Sequence, residues 1–159
     1  MSIRVGTGFD LHRLAEGRPL VLGGVKIPFS HGLIGHSDGD ALLHAVADAL
    51  LGAAALGDLG QLFPDSDPRY AGADSRELLR EAARRVKDSG WLPVNVDSTI
   101  IAERPPLSRH FPAMRGEIGR ILELPAGAVS VKAKTHEGVD ALGRGEAIAA
   151  QAVVLIMSR

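Results

Sequence analysis

Strand patterns open the chain and recur in its second half. Apolar residues alternate with other residues over positions 3–12, which predicts an opening strand. Leu20–Leu22 and Val25–Ile27 flank Gly23 and Gly24, a pattern typical of a β-hairpin with a tight turn. Three later strands are predicted over residues 94–102, 129–134 and 147–157.

Three segments repeat apolar residues at helical spacing, which places those residues on one face of each helix. Gly57 ends the first of these helices, and Asp74 or Ser75 is suited to cap the second. The predicted helices cover about residues 40–55, 75–88 and 107–122.

The segments between these elements predict loops. Glycines interrupt residues 28–39 and 136–145, and residues 59–68 predict a short turn or a helical stub. After the opening strand, the order is a β-hairpin followed by α-α-β-α-β-β. This order predicts one domain over residues 1–159, of the α/β (α+β) class and built as a layer sandwich.

Composition narrows the class of protein. The 159 residues carry a formal net charge of −1, so the chain lacks the basic surface that nucleic acids or anionic membranes attract. No apolar run approaches the roughly 20 residues of a membrane span, and the opening segment resembles a strand more than a signal peptide. Without cysteine, histidine and carboxylate side chains must hold any transition metal. We therefore expect a cytoplasmic protein that binds neither nucleic acid nor membrane.

Aspartate and histidine residues are spaced as ligands of one metal ion. Asp10 and His12 lie two apart on the opening strand and project from one face. His44 lies on the first predicted helix, whose polar stripe also contains Asp40 and Asp48. Three such ligands with an open fourth position suit a catalytic zinc site, in which Asp40 or Asp48 would accept the free N–H of His44. A solvated helix face and a loop carboxylate explain the same residues without a metal.

A second cluster of charged and hydroxyl groups lies near the last two strands. Lys132, Lys134, Thr135 and Glu137 come close together, and Arg144 follows in a glycine-rich segment. These side chains suit phosphate oxygens, with Arg144 as a forked donor and Glu137 as an oxygen ligand for Mg²⁺. An ordinary charged hairpin explains them as well.

Other segments are less informative or exclude known mechanisms. The carboxylates in residues 58–60 and 63–67 bind hydroxyl groups of a ligand or cap turns, and His31 and His110 are expected at the surface. The chain has no GxxxxGK[ST] phosphate loop, no GxGxxG after its first strand, no HExxH and no GxSxG. The mechanisms that depend on those motifs are therefore excluded.

Seven short motifs span almost the whole chain in order and without large gaps. They are GFDLH (8–12), GGVxIP (23–28), HSDGD (36–40), LGAAALGDLG (51–60), FPDxDP (63–68), GADS (72–75) and GRGE (143–146). Together they resemble the 2-C-methyl-D-erythritol 2,4-cyclodiphosphate synthase family of the non-mevalonate isoprenoid pathway. The resemblance implies a mixed β-sheet with helices packed on one face, and a homotrimer with an active site at each subunit interface.

The resemblance also implies two divalent ions in each active site. Asp10, His12 and His44 would bind a zinc-type ion, Zn²⁺ or Mn²⁺. Glu137 would contact a second ion, Mg²⁺ or Mn²⁺, held between the diphosphate groups.

The same resemblance implies catalytic and substrate-binding residues. His36 and Thr135 would stabilise the transition state, His36 and Ser37 would bind substrate phosphate, and residues 102–108 would bind cytidine. The implied substrate-binding residues are Asp10, His12, His36, Ser37, Asp58, Leu59, Gly60, Phe63, Pro64, Asp65, Ser66, Asp67, Ala102, Glu103, Arg104, Pro105, Pro106, Leu107, Ser108, Lys134, Thr135, His136, Glu137 and Arg144.

The implied reaction converts 4-diphosphocytidyl-2-C-methyl-D-erythritol 2-phosphate to 2-C-methyl-D-erythritol 2,4-cyclodiphosphate and releases CMP. Lys134 and His136 stand where the family commonly has threonine, Ala141 where it has phenylalanine, and Pro106 where lysine is frequent. Two alternatives remain: a metal-dependent phosphohydrolase that activates water, and a nucleotide-sensing trimer that binds without turnover.

Overall fold

The computed structural model describes residues 1–159 and contains seven strands and five α-helices. The strands are β1 (Ile3–Glu16), β2 (Leu20–Leu22), β3 (Val25–Ile27), β4 (His31–Leu33), β5 (Trp91–Ile101), β6 (Val129–Lys134) and β7 (Ala147–Ser158). The helices are α1 (Ala41–Ala53), α2 (Leu59–Leu62), α3 (Ser75–Asp88), α4 (Phe111–Leu122) and α5 (Asp140–Gly143). None of the helices has the length and apolar character needed to cross a membrane.

Five strands form one mixed sheet in the order β4-β1-β7-β5-β6. β5 and β6 run parallel, and all other neighbouring strands run antiparallel. β2 and β3 form a separate hairpin with Gly23 and Gly24 at its turn. The predicted α/β class, the mixed sheet and the hairpin are therefore confirmed.

α1 packs directly on the backbone of β1, because β1 has glycine at two positions beneath the helix. A Cβ atom added at Gly6 would lie 2.0 Å from the carbonyl oxygen of Ala49. One added at Gly8 would lie 1.9 Å from the carbonyl oxygen of Ala45. Since only glycine permits this approach, the two residues set the distance between β1 and the helix that carries His44.

The opposite face of β1 carries apolar side chains that no helix of the chain covers. Ile3, Val5, Phe9 and Leu11 expose between 47% and 66% of their surface. Val153 of the neighbouring strand β7 exposes 37%. We call these five residues the bare sheet face. Large apolar side chains exposed together on one sheet face are typical of an interaction surface.

The structure corrects several predicted boundaries. β1 continues to Glu16, four residues beyond its predicted end, because its last residues pair with β4. β4 itself lies inside the segment 28–39 that was predicted as a loop. α4 begins at Phe111, not near residue 107, because a 3₁₀ turn over Ser108–His110 precedes it. α5 likewise occupies part of the predicted loop 136–145.

Candidate functional site

Asp10, His12 and His44 converge on one point between β1 and α1. Asp10 Oδ2 lies 2.8 Å from His12 Nε2 and 2.9 Å from His44 Nδ1. The two ring nitrogens are 3.3 Å apart. The fold therefore brings together the three side chains that the sequence predicts as one metal group.

The chemistry of these donors fits a zinc-type ion. Tetrahedral coordination with bonds of ~2.0–2.1 Å separates ligand atoms by about 3.3 Å, close to the separations within the metal group. Two imidazoles and one carboxylate fill three positions and leave the fourth open. The side chains of His44, His12 and Asp10 are 11%, 19% and 24% exposed, so the group is shielded yet reachable from one side.

Hydrogen bonds within the metal group stabilise the charged form of its carboxylate. Burial acts to raise the pKa of Asp10, but the hydrogen bonds from His12 and His44 outweigh burial and hold this pKa well below its ordinary value. The hydrogen bond to Asp10 raises the pKa of His12 against the opposing effect of burial. A proton on His12 therefore competes with a metal ion for the same nitrogen.

Each histidine is also held from the side away from the metal position. His12 Nδ1 donates to the carbonyl oxygen of Ile34 over 2.7 Å. His44 Nε2 lies 2.8 Å from Ser75 Oγ and 3.1 Å from Ser37 Oγ. Both rings therefore direct their other nitrogen toward Asp10.

The expectation that Asp40 or Asp48 accepts the N–H of His44 is wrong. Asp40 caps α1 and accepts two backbone N–H groups in the turn between β2 and β3, over 2.9 and 2.7 Å. Burial raises the pKa of Asp40 to about 6. Asp48 accepts the N–H of Leu59 over 2.7 Å. Both carboxylates connect α1 to neighbouring segments. The hydroxyl groups of Ser37 and Ser75 lie beside His44 Nε2, where the helical spacing predicted one of the two carboxylates.

A cavity of about 380 Å³ opens beside the metal group. The predicted substrate-binding residues that line it are Asp10, His12, His36, Ser37, Leu59, Gly60, Phe63 and Asp65. Gly35, Tyr70 and Leu78 also line it and are not among the predicted site residues. The rings of Phe63 and Tyr70 meet edge to face with centroids 5.0 Å apart. In the sequence, Phe63 and Tyr70 lie on either side of an acidic loop, and this pairing is the signal that could have identified Tyr70 as a lining residue.

A second groove, of about 520 Å³, lies where β5 and β6 end. Its lining consists of Ala102, Glu103, Arg104, Pro105, Pro106, Leu107, Ser108, Phe111, Ala133, Lys134 and Thr135. The backbone N–H of Ala102 donates to the carbonyl oxygen of Lys134 over 3.0 Å and holds the two walls together. This groove shares no lining residue with the cavity beside the metal group. Within one chain, the predicted cytidine segment and the metal group are therefore separate.

Several predicted site residues lie outside both cavities. Glu137 has a φ of 53°, and its carboxylate accepts the hydroxyl of Thr135 over 3.2 Å, apart from the metal group. Arg144 donates to Glu146 over 2.6 Å and lines a third cavity together with Glu103. The other predicted residues that line neither cavity are Asp58, Pro64, Ser66, Asp67 and His136.

The largest groove of the molecule lies elsewhere. It measures about 530 Å³ between α3 and α4 and contains none of the predicted site residues. Charged side chains of α3 line it together with the apolar residues Ala83, Leu92, Pro93, Ile121 and Leu122. Because this groove holds no group of metal ligands, we assign the candidate site to the cavity beside Asp10 and His44.

Comparisons with known proteins agree with this site. The sequence model of the YgbB family matches residues 3–157. The 2-C-methyl-D-erythritol 2,4-cyclodiphosphate synthase of Chromobacterium violaceum is 63% identical over 153 residues, which are 96% of this chain and 97% of that protein.

Two solved structures share the fold. The bifunctional IspDF of Campylobacter jejuni superimposes with a TM-score of 0.96 at 41% identity, over 99% of this chain and 43% of that one. A CDP-bound 2C-methyl-D-erythritol-2,4-cyclodiphosphate synthase superimposes with a TM-score of 0.89 at 44% identity, over 97% of this chain and 100% of that one. With these matches over nearly its full length, the chain belongs to the YgbB family, the family of the 2-C-methyl-D-erythritol 2,4-cyclodiphosphate synthases.

Proposed function

We propose that this chain converts 4-diphosphocytidyl-2-C-methyl-D-erythritol 2-phosphate to 2-C-methyl-D-erythritol 2,4-cyclodiphosphate with release of CMP. The observation that carries this proposal is the convergence of Asp10, His12 and His44 beside a cavity in a chain of this family. The reaction belongs to the phosphorus–oxygen lyases and supplies an isoprenoid precursor.

The reaction needs positioning and charge neutralisation more than a base. An oxygen of the 2-phosphate attacks the β-phosphorus, a new P–O bond closes the ring, and the bond from the β-phosphorus to the bridging oxygen breaks, so that CMP leaves. The nucleophile is already anionic, so no proton has to be removed from it. Folding a flexible substrate so that its two ends meet is an entropic problem worth up to ~7–11 kcal/mol in well-oriented cases.

Two kinds of ion belong to the proposal. Asp10, His12 and His44 would hold a zinc-type ion, Zn²⁺ or Mn²⁺, and Glu137 would contact Mg²⁺ or Mn²⁺. When bound, such ions polarise phosphoryl oxygens and offset the charge that develops on them. The open side of the metal group, which faces the cavity, supports a role for it in holding phosphate.

The chain's own side chains would orient the substrate. His36 and Ser37 line the cavity beside the metal group and offer donors to phosphate oxygens. His36 and Thr135 would stabilise the transition state, and Arg144 would bind phosphate as a forked donor. Residues 58–60 and 63–67 would bind the methylerythritol part, and residues 102–108 with Lys134 and His136 would bind the cytidine diphosphate part.

We also propose a homotrimer in which neighbouring copies complete each active site. The bare sheet face supplies an apolar surface for the subunit contact. Thr135 lies in a groove separate from the metal group within one chain, so a neighbour's groove would complete the site at each interface. A cytoplasmic location fits this activity, because multiply charged nucleotide substrates stay in the compartment where they are made.

The first test is an end-point assay with the diphosphocytidyl substrate, metal-free protein and added Zn²⁺ and Mg²⁺, followed by phosphorus NMR. We expect CMP and two coupled resonances of a cyclic diphosphate. Inorganic phosphate in their place would establish the phosphohydrolase alternative. Stoichiometric CDP binding by the metal-loaded protein without any product would establish nucleotide sensing and reject the proposed reaction.

A further inference from the structure

A buried serine and a carboxylate line up behind His44. Ser75, the first residue of α3, is 0% exposed, and its Oγ lies 2.8 Å from His44 Nε2. The same hydroxyl hydrogen-bonds Asp38 Oδ1. The three side chains come from α1, α3 and the loop before α1, so only the folded chain brings them together.

Asp38 fixes the direction of this hydrogen-bonded chain. The backbone N–H of Ser75 donates to Asp38 Oδ2 over 3.1 Å, and the N–H of Asp40 donates to Oδ1 over 3.1 Å. A carboxylate surrounded by donors accepts hydrogen bonds, so the hydroxyl of Ser75 gives its only proton to Asp38. The oxygen of Ser75 is then left to accept the Nε2–H of His44.

This direction selects one tautomer of His44. Without a metal ion, Nδ1 donates to Asp10 Oδ2. A bound ion would take the place of that proton, and the one N–H of the neutral imidazole would then stay on Nε2 and leave the lone pair of Nδ1 for the ion. Nδ1 is the atom that faces Asp10 Oδ2 over 2.9 Å and His12 Nε2 over 3.3 Å. The lone pair is therefore directed at the position where the ligand atoms of the metal group converge.

The hydroxyl of Ser75 is not needed to begin α3. Asp74 caps that helix, since its side chain accepts the N–H of Arg76 over 2.9 Å. A buried hydroxyl destabilises the folded state unless it forms hydrogen bonds. Its partners here are His44 and Asp38.

We propose that Asp38 and Ser75 are positioning residues that hold His44 in the tautomer and ring orientation that binds the metal ion. The inference rests on the metal site of the proposed function, and it adds two residues that act on the metal only through His44. Ser37 Oγ, at 3.1 Å from the same nitrogen, lines the cavity and is the weaker of the two contacts. Outer hydrogen bonds of this kind typically change metal affinity by ~10–100-fold.

The test measures zinc affinity of the full-length protein by competition with a chromophoric chelator. Ser75→Ala should weaken zinc binding by about 10-fold or more. Ser98→Ala is the matched control, because Ser98 is also buried, at 2% exposed, and donates over 2.8 Å to the carbonyl oxygen of Ser130, away from the metal group. The control should bind zinc as tightly as the wild-type protein.

A second variant and a spectroscopic readout separate positioning from loss of structure. Asp38→Asn should also lower the zinc affinity. The double variant should bind zinc no more weakly than the single variant with the lower affinity, because the two residues act in series. In zinc-loaded wild-type protein labelled with ¹⁵N-histidine, the Nε2–H of His44 should exchange slowly with water. In Ser75→Ala this proton should exchange faster.

Each outcome decides the proposal. Absence of a proton on Nε2 of His44 in the zinc-loaded wild-type protein would overturn it. This measurement needs no variant, so it decides the proposal even if Ser75→Ala or Asp38→Asn fails to fold. Unchanged zinc affinity in Ser75→Ala, or an equal loss in Ser98→Ala, would overturn it while leaving the metal site intact. Failure of the wild-type protein to bind zinc at all would reject the metal site and the positioning role together.

Discussion

The two carboxylate oxygens of Asp10 make different contacts, one with the backbone and one with the histidines of the metal group. Oδ1 accepts the backbone N–H of Leu11 over 2.9 Å, which fixes the side chain at its own strand. Oδ2 faces the ring nitrogens of His12 and His44. Because Oδ1 is held by the backbone, the position of Oδ2 is fixed as well. The metal group therefore has its ligand geometry before an ion binds.

Replacement of His44 should remove the zinc-type ion and the activity together. His44→Ala takes one of three ligands away, so we expect bound zinc to be lost and kcat/KM to fall by at least about 100-fold. The proposed trimer should persist, because His44 lies on α1 and is not part of the bare sheet face. Metal analysis, turnover and light scattering on one sample check this. Retained turnover without bound metal would contradict the assignment, and His110→Ala is the control.

Zinc binding should depend on pH through His12. The pKa of His12 is raised above its ordinary 6.5, chiefly by the hydrogen bond to Asp10. Zinc affinity should therefore increase with pH and level off only above 6.5, at the raised pKa, because the proton must leave before the nitrogen binds metal. In the metal-free protein, the stability gained from the charged pair should be complete below 6.5 and lost as pH rises through the raised pKa. Zinc titrations and thermal melts across pH test both statements, and a midpoint below 6.5 would contradict them.

Loss of the charge at Glu137 should affect the second ion more than the first. Glu137 lies apart from the metal group within one chain, so Glu137→Gln should leave bound zinc unchanged. The Mg²⁺ concentration for half-maximal activity should rise by about 10-fold, because a neutral amide is a poorer ligand for a hard cation. Turnover measured against Mg²⁺ concentration, with zinc content as the control, tests the separation. An equal loss of both ions would show that the two sites are not separate.

At the scale of elements, the contact between α1 and β1 brings the metal group together. Asp10 and His12 come from β1, and His44 comes from α1, so the spacing of the ligands depends on how closely the helix approaches the strand. Gly6 and Gly8 permit that approach. The glycines of β1 therefore serve the site as well as the core.

A methyl group at Gly8 should push α1 away from β1. The added Cβ of Gly8→Ala would meet the carbonyl oxygen of Ala45 at 1.9 Å, and a backbone atom in a helix cannot turn aside. We expect the free energy of unfolding to fall by about 1–3 kcal/mol, with weaker zinc binding. Chemical denaturation measures the change. Gly116→Ala in α4 is the matched control, because nothing lies within 4 Å of its added Cβ and the helix should gain about 0.5–1 kcal/mol. Equal stability of Gly8→Ala and the wild-type protein would contradict the role of the close approach.

For the whole molecule, the two faces of the sheet are covered to different extents, since the second face is covered only in part, where Leu142 of α5 packs on Ala147 and Ala149 of β7. α1 lies over β1 and β7 on one side, whereas the bare sheet face carries apolar side chains on the other. Subunit contact through that face would remove these side chains from water and bring different parts of neighbouring chains together. Oligomerisation and catalysis are therefore coupled in the proposed enzyme.

A charge on the bare sheet face should dissociate the proposed trimer. Val5 is 64% exposed on that face, so Val5→Glu should be tolerated by the single chain but should oppose burial between chains. We expect monomers by light scattering, zinc content unchanged because the metal group lies within one chain, and activity reduced by at least about 100-fold. Ala113→Glu, at an exposed position of α4, is the control and should remain trimeric and active. A fully active monomer would show that each site is complete in one chain.

Elements with local signals can be predicted from the amino-acid sequence alone. The hairpin β2–β3 follows from Gly23 and Gly24, and the start of α3 follows from Asp74, because a turn or a cap depends on residues that are neighbours in the chain. The spacing of Asp10 and His12, with His44 on a helix, indicated a metal group but left a solvated helix face as an alternative, and the family motifs favoured the metal. The family motifs added the reaction and its ions, which remain proposals for this chain.

Contacts between residues that are distant in the sequence depend on the folded chain. β4 and the end of β1 form because they pair with each other, and no pattern within either segment predicts that pairing. Ser75, placed by sequence as a possible helix cap, contacts His44 across 31 positions of the chain. The physical reason is the range of the interaction: helix and turn preferences act between near neighbours, whereas hydrogen bonds in a packed core depend on where the whole backbone places each donor and acceptor.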